Sequence, residues 1–136
     1  RVFGDIRLAQ QLFSVLILDS ILSRSLPESL FKLSRLYYLD LSGNLLLSIP
    51  KSIVQLLGLK YLNIADNHLA LFPYFLGNLP SLSVLVCQRN PYRDVSEDVC
   101  KLSTEALLST IRDYISNHKE EEETPPVLFV FVRHLI

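Results

Sequence analysis

The side chains best suited to chemistry are three histidines, His68, His118 and His134, and two cysteines, Cys87 and Cys100. A metal site needs several such ligands converging, and in sequence they usually arrive as close pairs such as His-x-x-x-His or Cys-x-x-Cys. Neither pair occurs. A nucleophile needs a base and an orienting group beside it, yet the chain has no glycine-rich phosphate loop and no Gly-x-Ser-x-Gly elbow. Acidic residues gather only in the run KEEEETPP, at 119–126, where like charges followed by two prolines read as a solvated linker. The expectation is a protein that is not an enzyme, with no catalytic residue, no metal, no cofactor and no small-molecule substrate.

Composition narrows the remaining classes. A net charge of -1 supplies no field to attract nucleic acid or an anionic membrane, so neither is expected as a partner. The longest apolar run, near Val127 to Val132, is far too short to span a bilayer. A hydrophobic fraction of 49% in 136 residues is enough for one real core. The chain begins at Arg1, holds no methionine and opens with no signal peptide, as expected of a fragment or a processed product. Two cysteines do not make the disulfide framework of a small secreted domain. None of Asn44, Asn63, Asn67, Asn78, Asn90 and Asn117 opens an Asn-x-Ser/Thr acceptor. Both absences point to a reducing, cytoplasmic setting with free thiols.

What positions the surface side chains is an internal repeat. Four segments, opening at Phe13, Leu36, Leu59 and Leu82, are spaced by 23 residues. The fourth place in each holds Leu16, Leu39, Leu62 and Leu85. The sixth holds Leu18, Leu41, Ile64 and Cys87, and the ninth Ile21, Asn44, Asn67 and Asn90. An apolar-Pro pair follows as Leu26-Pro27, Ile49-Pro50 and Phe72-Pro73, then apolar residues at Leu30, Ile53 and Leu76 and at Leu33, Leu56 and Leu79.

These columns resemble the leucine-rich-repeat pattern LxxLxLxxNxLxx(L/I)Pxx(L/I)xxLxx from Phe13 to Pro91. The 23-residue length resembles the intracellular subclass found in small-GTPase and polarity scaffolds, whereas plant receptor repeats usually run to 24 with Gly before Ile-Pro, where Ser48 stands here. The resemblance implies an α/β leucine-rich-repeat solenoid, with a short parallel β-sheet on the concave face and a C-terminal helical cap. It also implies a protein partner, such as a small GTPase or a signalling enzyme.

The residues support that architecture on physical grounds. Alternating leucines suit short strands with one buried face, and proline ends the ladder and turns the chain back. One repeat cannot bury its apolar side alone, so neighbours stack. The asparagines carry donors and an acceptor on one short side chain, and are expected to satisfy the buried backbone where the chain turns inward. Ile21 interrupts that column, so the first repeat is expected to turn differently. Four segments follow: a partial preceding repeat or N-terminal cap at 1–12, the repeats at 13–91, a helical cap at 92–118, and an acidic, proline-containing linker with an apolar tail at 119–136. Asp94 and Glu97 have the spacing of a capping box at a helix start. Beyond them Cys100, Leu107, Leu108, Ile111 and Ile115 make one helical stripe. The stretch NPYRDVSEDVC lacks the NPxxCxC opening of secreted caps.

The candidate site is the outward side of the strands. The third place of each repeat gives Val15, Tyr38, Tyr61 and Val84, and the fifth Ile17, Asp40, Asn63 and Val86. Tyr38, Asp40, Tyr61 and Asn63, with Gln88 and Arg89 just beyond the last strand, are the expected protein-binding residues. Tyrosine offers a large contact area with a polar tip, and the two rings should stack about a strand spacing, ~5 Å, apart. The return segments, with Lys51, Ser52, Gln55 and turns near Lys60, read as ordinary solvated surface. The leading expectation is a monomeric, non-catalytic interaction scaffold binding through its concave face. The alternatives are a fragment of an extracellular receptor ectodomain and a regulatory repeat segment of a larger enzyme.

Overall fold

The computed structural model describes residues 14–117. The segment at 1–12, the acidic linker and apolar tail at 119–136, Phe13, His118 and His134 lie outside the described residues. Four three-residue strands, β1 (Val15–Ile17), β2 (Tyr38–Asp40), β3 (Tyr61–Asn63) and β4 (Val84–Val86), form one parallel sheet in the order β1-β2-β3-β4. Each residue pairs with the one 23 positions on: Tyr38 with Tyr61, Leu39 with Leu62 and Asp40 with Asn63. The same step joins β1 to β2 and β3 to β4, so the sequence period is the sheet register.

The central leucine of each strand points inward. Leu39 and Leu62 are completely buried, as are Leu41, Ile64, Leu46 and Leu69 further along the turns. The chain returns through 3-10 helices at Glu28–Lys32, Lys51–Gln55 and Tyr74–Asn78, each entered from a proline, Pro27, Pro50 or Pro73. Proline suits this place because its φ is already set for a helical start and no amide is lost. Leu30, Ile53 and Leu76 on these helices meet the strand leucines in one core that runs the length of the stack. Truncating any of these fully buried leucines to alanine would cost about 2–5 kcal/mol.

The asparagine column acts between repeats. The side-chain oxygen of Asn44 accepts from the amides of Ile21 and Ser23, both at 3.1 Å, while its nitrogen donates to the carbonyls of Leu18 at 2.8 Å and Leu41 at 3.0 Å. Asn90 does the same one repeat or more further on, accepting from Asn67 and Leu69 at 3.1 Å and donating to Ile64 at 3.0 Å. Asn67 accepts from Leu46 at 3.1 Å and donates to Leu41 at 3.0 Å. Each of Asn44, Asn67 and Asn90 therefore completes the backbone of the repeat before it.

A second column appears one residue earlier. Ser20, Gly43, Asp66 and Arg89 all take left-handed φ values, of 56°, 68°, 55° and 56°. This conformation is costly for any residue but glycine, so the turn imposes it. The first repeat, where Ile21 replaces asparagine, adds another left-handed residue, Leu22 at φ 58°. Its turn does differ, as the broken column led one to expect.

The C-terminal end is closed by a 3-10 helix, Glu97–Lys101, and one α-helix, α1 (Thr104–Asn117). Leu107, Leu108 and Ile111 are buried and Ile115 packs beside them, following the stripe read from the sequence. Thr104 takes the place of a further strand: its hydroxyl accepts from the Leu85 amide at 3.1 Å and lies 3.5 Å from the Leu85 carbonyl as donor. Arg112 donates to the carbonyls of Gly77 at 3.0 Å and Leu79 at 2.8 Å, fastening α1 to the last return helix.

The expected capping box is not formed. Asp94 accepts from the Phe72 amide at 3.0 Å, one repeat back, and the 3-10 helix that follows starts at Ser96 without a side-chain cap. The α-helix is capped instead by Ser103, whose Oγ accepts from the Ala106 amide at 3.2 Å. Asp94 thus continues the between-repeat role of the asparagines, which outweighs a local cap for a short 3-10 turn.

Candidate functional site: the concave strand face

The pleat gives each strand one inward and two outward side chains, so the face is a grid of four strands by two positions. Tyr38 and Tyr61 occupy its middle. Their rings are parallel to within 2° with centroids 4.0 Å apart, closer than the strand spacing because both lean together. The Tyr38 phenol is raised above its ordinary value, first by hydrogen bonding with Tyr61 and then by desolvation and the neighbouring charges. The Tyr38 phenol is therefore a neutral donor and acceptor at physiological pH.

Asp40 and Asn63 lie side by side in the next row. Each spends one oxygen on its own turn: Asp40 accepts from the Ser42 amide at 2.9 Å and hydroxyl at 2.7 Å, and Asn63 from the Ala65 amide at 3.0 Å. This is the i to i+2 pattern of Asx turns. These two residues thus fix the strand exit as well as facing solvent, a double use that spacing alone does not disclose.

Gln88 and Arg89 sit on the rim beyond β4. The Arg89 guanidinium grips Asp66 in a bidentate pair, with nitrogen-oxygen distances of 2.6 and 2.8 Å. The pair holds the Asp66 carboxyl below its usual range and raises Arg89. Both side chains stay well exposed, so the pair adds little stability, but it presents a neutralised rim rather than a free cation. Gln88 is half-buried, and its Oε1 is enclosed with no hydrogen-bond partner among the described residues.

The flanks are more apolar than the chosen binding residues suggest. Val15 is 43% exposed, Ile17 55% and Val84 41%. With Val86 half-buried beside them, six of the eight grid positions are apolar or aromatic. The valines and the isoleucine were legible as outward positions, and their exposure shows that none of the described residues covers them.

The two cysteines stand behind the end of this face. The Cys87 thiol points at Cys100 Sγ, 2.7 Å away, and the Cys100 thiol at the Cys87 carbonyl, 3.3 Å away. Both are buried and free. Hydrogen bonding to Cys100 and burial push the Cys87 thiol far above its ordinary value. Tyr92, which donates to the same carbonyl at 2.9 Å, is likewise pushed up by burial. Burial and a raised pKa leave the Cys87 thiol little thiolate with which to react. Among the described residues no group of three or more histidine, cysteine or acidic side chains could hold a metal, and no helix is long and apolar enough to cross a membrane.

The Leucine Rich Repeat family profile matches residues 35–56 and 58–79, two consecutive turns of this stack. With that match on two turns and the repeating sheet, the described residues have the fold of a leucine-rich-repeat solenoid. Among solved structures it is similar to a leucine-rich-repeat protein of Leptospira interrogans, at 33% identity over 51% of this chain and 18% of that one, with a TM-score of 0.48. It is also similar to an internalin of Listeria monocytogenes, at 23% identity over 54% of this chain and 21% of the other, with a TM-score of 0.44. The chain thus spans about a fifth of the length of each. Comparison with curated proteins gives no match. Repeats of this family generally mediate protein-protein interaction.

Proposed function

We propose that this solenoid is a non-catalytic, monomeric interaction module that takes a protein partner on its concave strand face. The observation that carries the reading is the stacked pair Tyr38 and Tyr61, flanked by exposed Val15, Ile17 and Val84. Aromatic anchors ringed by apolar contacts are the usual composition of an interface hot spot. Asp40 and Asn63 add polar tips that orient a partner, and Gln88 and Arg89 form the rim beside them. The 23-residue repeat and the lack of a secreted-type cysteine cap favour a cytoplasmic setting and a signalling partner of the small-GTPase or signalling-enzyme kind.

The test begins with capture of partners from extract by the wild-type protein, followed by titration of one purified partner. Tyr38→Ala with Tyr61→Ala should weaken binding by about 2 kcal/mol or more while the fold persists. Ser52→Ala with Gln55→Ala, on the return face, should leave it unchanged. Loss of binding in the second pair and not the first would move the site off the concave face.

A further inference from the structure

The repeat itself shows which surface residues the fold does not need. In the first, second and fourth turns the two places after the proline position are polar: Glu28 and Ser29, Lys51 and Ser52, Glu97 and Asp98. In the third turn they are Tyr74 and Phe75, half-buried, with ring centroids 6.0 Å apart in an edge-to-face arrangement. Two places before the proline stand Ser25, Ser48 and Asp94 in the other turns, and Leu71 in the third, 48% exposed. One place earlier, where Arg24 and Arg93 stand, the second turn has Leu47, 64% exposed. These departures coincide in space. They line one groove of about 470 Å³ on the flank of the second and third turns, away from the strand face. The equivalent places in the other three turns hold polar residues, but the third turn is entered differently, with Pro73 at ψ 76° against 143°, 142° and 160° at Pro27, Pro50 and Ser96, and Tyr74 and Phe75 pack partly against the core. Leu47 and Leu71, exposed and outside that core, are the apolar choices that the fold does not call for.

Charge says what that is. Lys51, from the second turn, and Arg93, from the turn beyond the third, also line the groove, and no acidic residue does. The Arg93 amide bonds the Ala70 carbonyl at 2.8 Å, which holds this residue against the third turn. Neither cation is in a direct ion pair among the described residues, and Arg93 acts on Asp94 beside it only through space. Since the turns stack in order, the two cations bracket the apolar floor. We propose that this groove binds an extended acidic peptide segment of a partner, seating one large apolar side chain on Leu47, Leu71, Tyr74 and Phe75 between carboxylates that meet Lys51 and Arg93. Two basic residues are too few for an anionic membrane, where attachment rests on clusters of about four to eight. A short peptide with an acid on either side of an apolar anchor matches both the charges and the size.

The repeat also supplies variants that keep the fold. Leu47→Ala and Leu71→Ser install residues that Ala70, Ser25 and Ser48 already place at equivalent positions, and Lys51→Glu copies Glu28 and Glu97. A library of random twelve-residue peptides displayed on phage is selected on the immobilised wild-type chain. The recovered sequences should be enriched in a Leu, Phe or Trp flanked by Asp or Glu. One synthesised peptide, titrated by fluorescence anisotropy, should lose at least tenfold in affinity on Leu47→Ala with Leu71→Ser, and on Lys51→Glu. Binding should persist in the Tyr38→Ala, Tyr61→Ala chain, which separates this groove from the concave face. Selection without acidic enrichment, or peptides that bind the groove variants as well as wild type, overturns the proposal. So does preferential binding to phosphatidylserine vesicles that the same variants abolish.

Discussion

Gly77 and Ile111 meet with no room for a methyl group between them. A Cβ on Gly77 would stand 2.6 Å from Cγ2 of Ile111 and 3.0 Å from Cδ1 of Ile115. The return helix of the third turn and the cap helix are thus in contact because this one residue has no side chain. Ile111 is completely buried at that contact, and Arg112 beside it holds the Gly77 carbonyl.

Gly77→Ala should therefore lift α1 from the stack and cost about 1–3 kcal/mol, the usual penalty of overpacking. Denaturant unfolding measures it. In an Ile111→Ala background the same change should cost less, because the methyl then has space. Strict additivity of the two would show that the helix is not seated on Gly77.

Asn67→Ala should cost about 1–3 kcal/mol, since it leaves the Leu46 amide and the Leu41 and Ile64 carbonyls without their shared partner. Asn78, exposed on the return side, should tolerate alanine with a loss of less than about 0.5 kcal/mol. Equal unfolding midpoints for the two variants would contradict the column.

Asp94 gives a pH dependence of uncommon sign. Burial raises its carboxyl above the ordinary value and outweighs the Phe72 amide, its own amide and the Arg93 charge, which act against this. Oδ2 is enclosed with no hydrogen-bond partner among the described residues. An acid whose folded pKa exceeds its unfolded one destabilises the fold at neutral pH, and this cost is relieved as pH falls through the folded value. Asp94→Asn keeps the oxygen that accepts from Phe72 and removes the charge. It should be more stable than wild type at pH 7, with the gap closing toward pH 3. Chemical denaturation at both values tests this; a gap that widens on acidification is the contrary result.

Both thiols should be countable and slow. In the native protein Cys87 and Cys100 should resist alkylation at neutral pH, because they are buried and Cys87 is held protonated. After unfolding without reductant, two thiols per chain should react. Recovery of none would mean that the pair is oxidised in the isolated protein.

The parts of this structure that repeat were open to reading, and those that occur once were not. A column at a fixed interval is seen several times, so Leu39, Asn67 and the Tyr38-Tyr61 pairing follow from counting. Asp94 looked like a helix cap because Asp-x-x-Glu is a local pattern, and its real partner, Phe72, is 22 positions back. The seating of α1 on Gly77 joins residues 34 apart in no repeating relation. The apolar groove was hidden differently. The return surface looked polar from Lys51, Ser52 and Gln55, and Tyr74 and Phe75 stand at the equivalent places one turn on. Only their placement on one flank reveals the exception.

The direction of the asparagine bonds also governs how the chain comes into being. Asn44 supplies the turn that contains Ile21, and Asn90 supplies the amide of Asn67, in each case a partner 23 residues nearer the start. A ribosome makes the earlier residue first. Each turn thus leaves synthesis with its inner amides unmet, and waits for a side chain not yet made. At about 5–20 residues per second, that wait is roughly 1–5 seconds per turn. The cap ends the series: Asp94 and Thr104, made last, accept from the amides of Phe72 and Leu85 in place of another asparagine of the column.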